Sequence, residues 1–285
     1  MLKLQPYFLL FTKWLKANYG LLILSLILSC ICFPKYELFY SSGIDEPLPW
    51  VFNYFADGHY ALGIHTLFPH GPLAFLLYPL ILGNNLIAAI IIQLICSVLL
   101  CMCLFKIQAH KSKKQYTFVT IIILLIISIA GIQLQLICLS ACFIVLFKLS
   151  GKKINLFFAL FFCVFNLFIK SYGGIICGLI LISLIFHAFF INKNSKLALQ
   201  IIGGYFLLFF IFWLALYQSL NGSLTFLIGQ MELSSNNSEA VSFNQENNWG
   251  FIGISLVSFI LIPFATKDKM ARYFLINEFP ILFRC

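Results

Sequence analysis

Residues 116–147 read YTFVTIIILLIISIAGIQLQLICLSACFIVLF, with Lys113 and Lys114 before them and Lys148 after them. At 32 residues the run is too long for one bilayer crossing, which takes about 20 apolar residues. Lysines at both ends ask for both ends on the same side of the membrane. Two short crossings that meet near Gly131, Ile132 and Gln133 satisfy both demands.

The same reading extends along the chain. Only 9% of residues are charged and 62% are hydrophobic, where a soluble domain would be about a quarter charged. A lead at 1–16 carries Lys3, Lys13, Lys16 and an interfacial Trp14, and the first span is expected at 18–33. Further spans are expected at 86–105, 156–169, 175–191, 197–217 and 251–265, with a turn over 170–174. The predicted fold is all-α: a polytopic helical membrane protein of about eight transmembrane helices, with interfacial helices in the first outer loop. It forms a single transmembrane domain, 1–285, with outer loops at 34–85 and 218–249. The apolar stretch that starts at Tyr273 ends at Cys285 without completing a span, which reads as a fragment or a shortened product.

Charge tests this layout. The proposed inner segments hold fifteen of the eighteen basic residues, and the proposed outer segments hold seven of the nine acids. The lysine bias puts the N-terminus inside, and it accounts for the net charge of +9 without nucleic acid. The first apolar run ends at Cys32-Phe33-Pro34 with no small-x-small cleavage site, so it stays as a span. The cysteines lie in or beside apolar runs and read as small packing residues, not as a disulfide framework.

Residues 43–80, GIDEPLPWVFNYFADGHYALGIHTLFPHGPLAFLLYPL, are the polar island of the chain. Ionisable groups gathered in a membrane protein mark a functional site, and this stretch holds Asp45, Glu46, Asp57, His59, His65 and His70. Pro47 after two acids predicts a helix start. The aromatic segment from Trp50 to Tyr60 predicts a short helix on the membrane surface. Residues 73–82 are apolar but too short to span, and are expected as an interfacial or re-entrant helix. His59 and His65 are six apart, which is not a helical ligand spacing.

An Asp-Glu pair after the first span, then about two dozen residues leading to His-x-Pro-Leu-x-x-x-Leu, resembles the first outer loop of the GT-C glycosyltransferases. The residues concerned are Asp45, Glu46, Gly58, His70, Pro72, Leu73 and Leu77. These enzymes move a sugar from a polyprenyl phosphate carrier, as in protein mannosyltransferases and the transferases that add aminoarabinose to lipid A. A second likeness is Lys170 with Gly173 and Gly174 at an outer turn, where family members hold the carrier phosphate. The chain departs from the family in having no acid at 131–135.

The resemblance implies an integral-membrane glycosyltransferase acting at the outer face with inversion. Asp45 is then the carboxylate base that takes the acceptor proton, and Glu46 is its helper or a metal ligand. Lys170, His70, Asp57 and Tyr172 are the substrate-binding residues. The departing phosphate needs a cation or donors, which Lys170, Lys35 or a protonated His70 would supply. No cofactor is required. The partners are a polyprenyl-phosphate sugar, a lipid, glycan or protein acceptor, and the bilayer of a bacterial inner membrane. Two other readings stand beside it: a transporter or flippase of a lipid-linked sugar, and a non-catalytic or truncated membrane subunit.

Overall fold

Helix α3, Asn85–Lys111, turns isoleucines outward and a glutamine inward. Ile87, Ile91 and Ile95, each one turn beyond the last, are 60%, 51% and 52% exposed, while Gln93 on the other face is 1% exposed. A helix in water is arranged the other way. An all-apolar outer face is favourable only against hydrocarbon, and the pattern repeats in the later helices with Leu179 and Ile182, and with Leu199 and Leu207. This is a membrane protein whose helices pack through their interiors and face lipid with the remainder.

The computed structural model describes residues 5–31, 33, 36, 48–59, 70–111, 131–191, 193–217 and 219–229, without the side chains of 5–17, 58–59, 108–111 and 191. All belong to one compact unit, Met1–Ser234. The elements are α1 (Gln5–Ile31), α2 (Leu48–Tyr54), α3, α4 (Gly131–Ser150), α5 (Lys153–Ile169), α6 (Ser171–Phe186) and α7 (Ser195–Tyr217). No strand occurs among the described residues. Asn85–Ile107, Gly131–Ser150, Ser171–Phe190 and Ser195–Tyr217 are long and apolar enough to cross a membrane. Asn18–Ile31 and Lys153–Ile169 are shorter apolar helices.

The break expected near Gly131 is where α4 begins, and Gly131 has φ of +80°. The expected spans at 112–130 and 251–265 lie outside the described residues. Three expectations change. The lead and first span form one uninterrupted helix from Gln5 to Ile31. Residues 73–82 do not form a helix beyond the single 3-10 turn Ala74–Leu76, because the amides of Gly71, Leu73 and Leu80 are used elsewhere and Pro79 has none. The predicted polar loop at 218–249 opens with a helical segment, 223–229, that buries Phe226.

Helix α5 lies at the centre, packed on α4, α6 and α7; α3 joins through α4, and α1 packs on α3. Small residues let the backbones approach, as membrane helix interfaces require. Ser29 of α1 meets Cys101 of α3 at 3.9 Å. Gly174 of α6 lies so close to α5 that a Cβ there would sit 2.8 Å from Leu167 Cα. The turn expected over 170–174 is therefore made by Lys170 alone, and the glycines serve helix packing instead.

Gly174→Val should separate α6 from α5 and cost about 1–3 kcal/mol. Gly178→Ala, four residues on with nothing within 4 Å, should be neutral or gain up to about 1 kcal/mol from helix propensity. Thermal unfolding of both variants in detergent checks the contrast; equal effects would contradict the packing role.

Candidate functional site

Helix α5 ends at Ile169, and its final carbonyls have no next turn to donate to them. The strap at 70–73 takes that place. The Gly71 amide donates to the Ile169 carbonyl at 3.0 Å, and the Leu73 amide donates to the Phe168 carbonyl at 2.9 Å. Pro72, which has no amide to give, falls between these two donors. His70 pairs with Lys170 in an isolated antiparallel bridge. Only glycine fits at 71, since a Cβ would run into the Phe168 carbonyl group and lie 2.9 Å from Phe168 Cα.

Lys170 is at once the C-cap of α5 and the N-cap of α6, held extended at φ −154° and ψ 133°. Its amide donates to the Asn166 carbonyl at 3.0 Å, and its carbonyl accepts from the Gly174 amide at 3.1 Å. The positive end of the α6 dipole thus starts one residue beyond a lysine. Phe168, two residues before Lys170, belongs to a buried aromatic cluster. Phe168 packs on Phe209 at 5.5 Å and on Phe226 at 5.8 Å between ring centroids, and Trp213 anchors through Nε1 to the Asn221 carbonyl at 3.2 Å.

His70 is buried, with its ring 4.6 Å from that of Phe52. Burial first, and the neighbouring Lys170 charge second, push its pKa down from 6.5 to about 4. The imidazole is neutral at neutral pH. In this structure, then, the expected cation His70 stands beside Lys170 as a neutral ring. Lys170 remains, and Lys35 lies outside the described residues.

Asn53, which the sequence reading passed over, organises the island. It is fully buried, and its Nδ2 donates to the carbonyls of Pro49 and Tyr78, both at 2.7 Å. Its Oδ1 accepts from the Leu80 amide at 3.0 Å, and its carbonyl accepts from Asn85 Nδ2 at 2.8 Å. One side chain ties α2 to the strap's exit and its backbone to the start of α3. The only signal in the sequence is an amide between Phe52 and Tyr54, at a place where an aromatic segment would otherwise continue.

The expected site residues divide. His70 and Lys170 are brought together across 100 positions of chain. Tyr172 follows in the first turn of α6 with its side chain 64% exposed. Asp57 lies apart, in the π turn Phe55–His59, with its carboxylate against Gly83. Asp45, Glu46 and His65 lie outside the described residues. No group of three or more metal-ligating side chains occurs among the described residues. No protein-family profile, curated protein or solved structure matches the chain.

The His70 shift sets a pH dependence. Between pH 6.5 and about 4 the unfolded chain takes up this proton before the folded one does, so stability falls as pH drops through that window and is unaffected above it. His70→Phe should flatten this part of the curve, as melting temperature against pH for both proteins will read; parallel curves would contradict it. Asn53→Ala leaves buried carbonyls and the Leu80 amide unpaired, and should cost on the order of 3 kcal/mol in the same assay.

Proposed function

We propose that the chain is an integral-membrane glycosyltransferase of the GT-C type. It moves a sugar from a polyprenyl-phosphate carrier to an acceptor at the outer face of a bacterial inner membrane, with inversion. The observation that carries this reading is the His70–Lys170 bridge. The two segments that resemble the family's donor site lie next to each other, although nothing in the chain's local order requires it.

In this reading the membrane holds eight spans with the N-terminus inside, and the strap, Lys170 and the start of α6 face outward. Lys170 and the α6 N-terminus receive the carrier phosphate as its negative charge grows on departure. Buried neutral His70 holds the strap against α5 and offers the phosphate a hydrogen bond, not a charge. Asp45 takes the acceptor proton, with Glu46 assisting. The buried aromatic cluster around Phe168, two residues before Lys170, lowers the local dielectric, which strengthens the attraction of the phosphate to the lysine.

A second reading, transport of a lipid-linked sugar, is favoured by the bundle interior. Gln93, Gln135 and Asn166 are buried on α3, α4 and α5, and Nε2 of both glutamines and Oδ1 of Asn166 have no hydrogen-bond partner among the described residues. Polar groups within spans are what a transport path uses.

Purified protein in lipid vesicles, offered a panel of radiolabelled polyprenyl-phosphate sugars, separates the two. Transfer, or slow release of sugar, is expected from the wild type. Asp45→Asn should lower kcat by about 10²-fold or more with donor KM little changed. Lys170→Gln should raise donor KM by about tenfold or more. Passage of intact donor across the vesicle wall, with no sugar released, would overturn the transferase reading in favour of transport.

A further inference from the structure

We propose that two copies of the chain pair in the membrane through the outward face of α7, with the Gln200 amide of each copy bonded to that of the other. Among the described helices long and apolar enough to cross a membrane, α7 is the least buried, at 28% of its most apolar stretch against 50% for α4. Its inner face carries Ile201, Phe209 and Trp213, all fully buried. Its outer face carries Gln200, Gly203, Leu207, Ile211 and Leu214, all exposed.

These outward residues recur every three or four positions, so they form one row along the helix. Leu207, Ile211 and Leu214 suit hydrocarbon as well as protein. Gln200 does not. Helix α7 is 23 residues long, about 34 Å at about 1.5 Å per residue, against a hydrocarbon layer about 30 Å thick. Gln200, five residues in from Ser195, therefore lies within that layer, where lipid tails offer its amide neither donor nor acceptor. Polar side chains in spans hydrogen-bond across helix pairs, and small residues beside them let the backbones approach. Gly203 is that small residue: nothing lies within 4 Å of the place its Cβ would take, so the helix surface there is open to a second helix.

The amide and the membrane together choose the partner. Copies of one chain insert with the same orientation, so two α7 helices meet parallel and bring identical residues to the same depth. A glutamine donates through Nε2 and accepts through Oε1, so two of them related by a twofold axis satisfy each other reciprocally. A different protein would need its own amide at that depth, and a second copy has it without any further requirement. One polar residue in an apolar seam also fixes the register of a parallel pair. The inference shares no residue with the His70–Lys170 site and is independent of the glycosyltransferase reading.

The test uses the full chain reconstituted in phosphatidylcholine vesicles. Leu207 is replaced by the photo-crosslinking residue p-benzoylphenylalanine, and the irradiated product is mapped by mass spectrometry. A product of twice the chain mass, joined from position 207 to α7 of a second copy, is expected, and the same probe in place of Leu179 on α6 should give far less of it. Energy transfer between labelled copies, followed as the protein is diluted in lipid, gives the affinity of the pair. Gln200→Leu should weaken it by about tenfold, and Gly203→Ile by about as much or more. Ile182→Ala, on the outward face of α6, should change it by less than about twofold. If Gly203→Ile does not fold, Gln200→Leu against Ile182→Ala carries the same comparison. Crosslinks from position 207 to lipid alone or to another segment of the same chain, equal dimer from the Leu179 probe, or a Gln200→Leu variant that pairs as tightly as the wild type would each overturn the proposal.

Discussion

The carbonyls at the end of α5 are the constraint on which the site rests. A helix that ends in or near hydrocarbon cannot leave its last acceptors to water, and an unmet buried carbonyl costs about 1–3 kcal/mol. Here the donors come from Gly71 and Leu73, about a hundred residues earlier in the chain. Two hydrogen bonds thus impose a long-range contact. They also dictate sequence, since the residue between the donors need not carry an amide and the residue nearest Phe168 cannot carry a Cβ. Gly71-Pro72 is what that geometry permits. Of these two residues only Pro72 belongs to the resemblance noted in the sequence, and there the likeness and the packing requirement are not independent evidence for function. Lys170 is different. Its backbone is fixed by the same bridge, but nothing in the capping of α5 or α6 requires a charged side chain there.

Much of the fold was legible because the physics of a bilayer is one-dimensional. Apolar runs of spanning length, bounded by lysines, predict helices and their ends, and α4 and α7 begin and end within a few residues of those expectations, while α3 starts where expected and runs on to Lys111. What escaped the sequence was decided by partners distant in the chain. The 73–82 segment is apolar enough to be a helix, yet the Leu73 amide is claimed by the Phe168 carbonyl, the Leu80 amide by Asn53, and Pro79 has none to give. Gly173 and Gly174 beside Lys170 look like a loop by composition, and only the nearness of Asn166 and Leu167 shows that they are a helix interface. Asn53 has no motif at all. An asparagine amide that joins three backbone segments is invisible until those segments are placed around it.

The site residues show the same division. His70 and Lys170 could be named from the sequence, but not their protonation. Read as a sequence, His70 offers a cation near pH 6; in its place against Phe52 and beside Lys170 it is a neutral ring down to about pH 4. The change is a consequence of the bridge itself. Bringing the two residues together buries the imidazole and sets it beside a lysine, and both effects oppose its charge.

That neutrality bears on how such a site would treat a phosphate. A second cation would bind the anion tightly both before and after the sugar leaves, and uniform binding does not speed a reaction. A single lysine with a helix N-terminus behind it interacts more strongly as charge builds on the leaving oxygen. The neutral histidine can hold the strap and donate one hydrogen bond without adding to ground-state attraction. A site with one fixed charge at the edge of hydrocarbon is therefore better suited to releasing a phosphate from a sugar than to storing it. In the proposed transferase, transfer is thereby favoured over simple carriage at the His70–Lys170 end, and Nε2 of Gln93 and Gln135 and Oδ1 of Asn166, which have no hydrogen-bond partner among the described residues, have no role there.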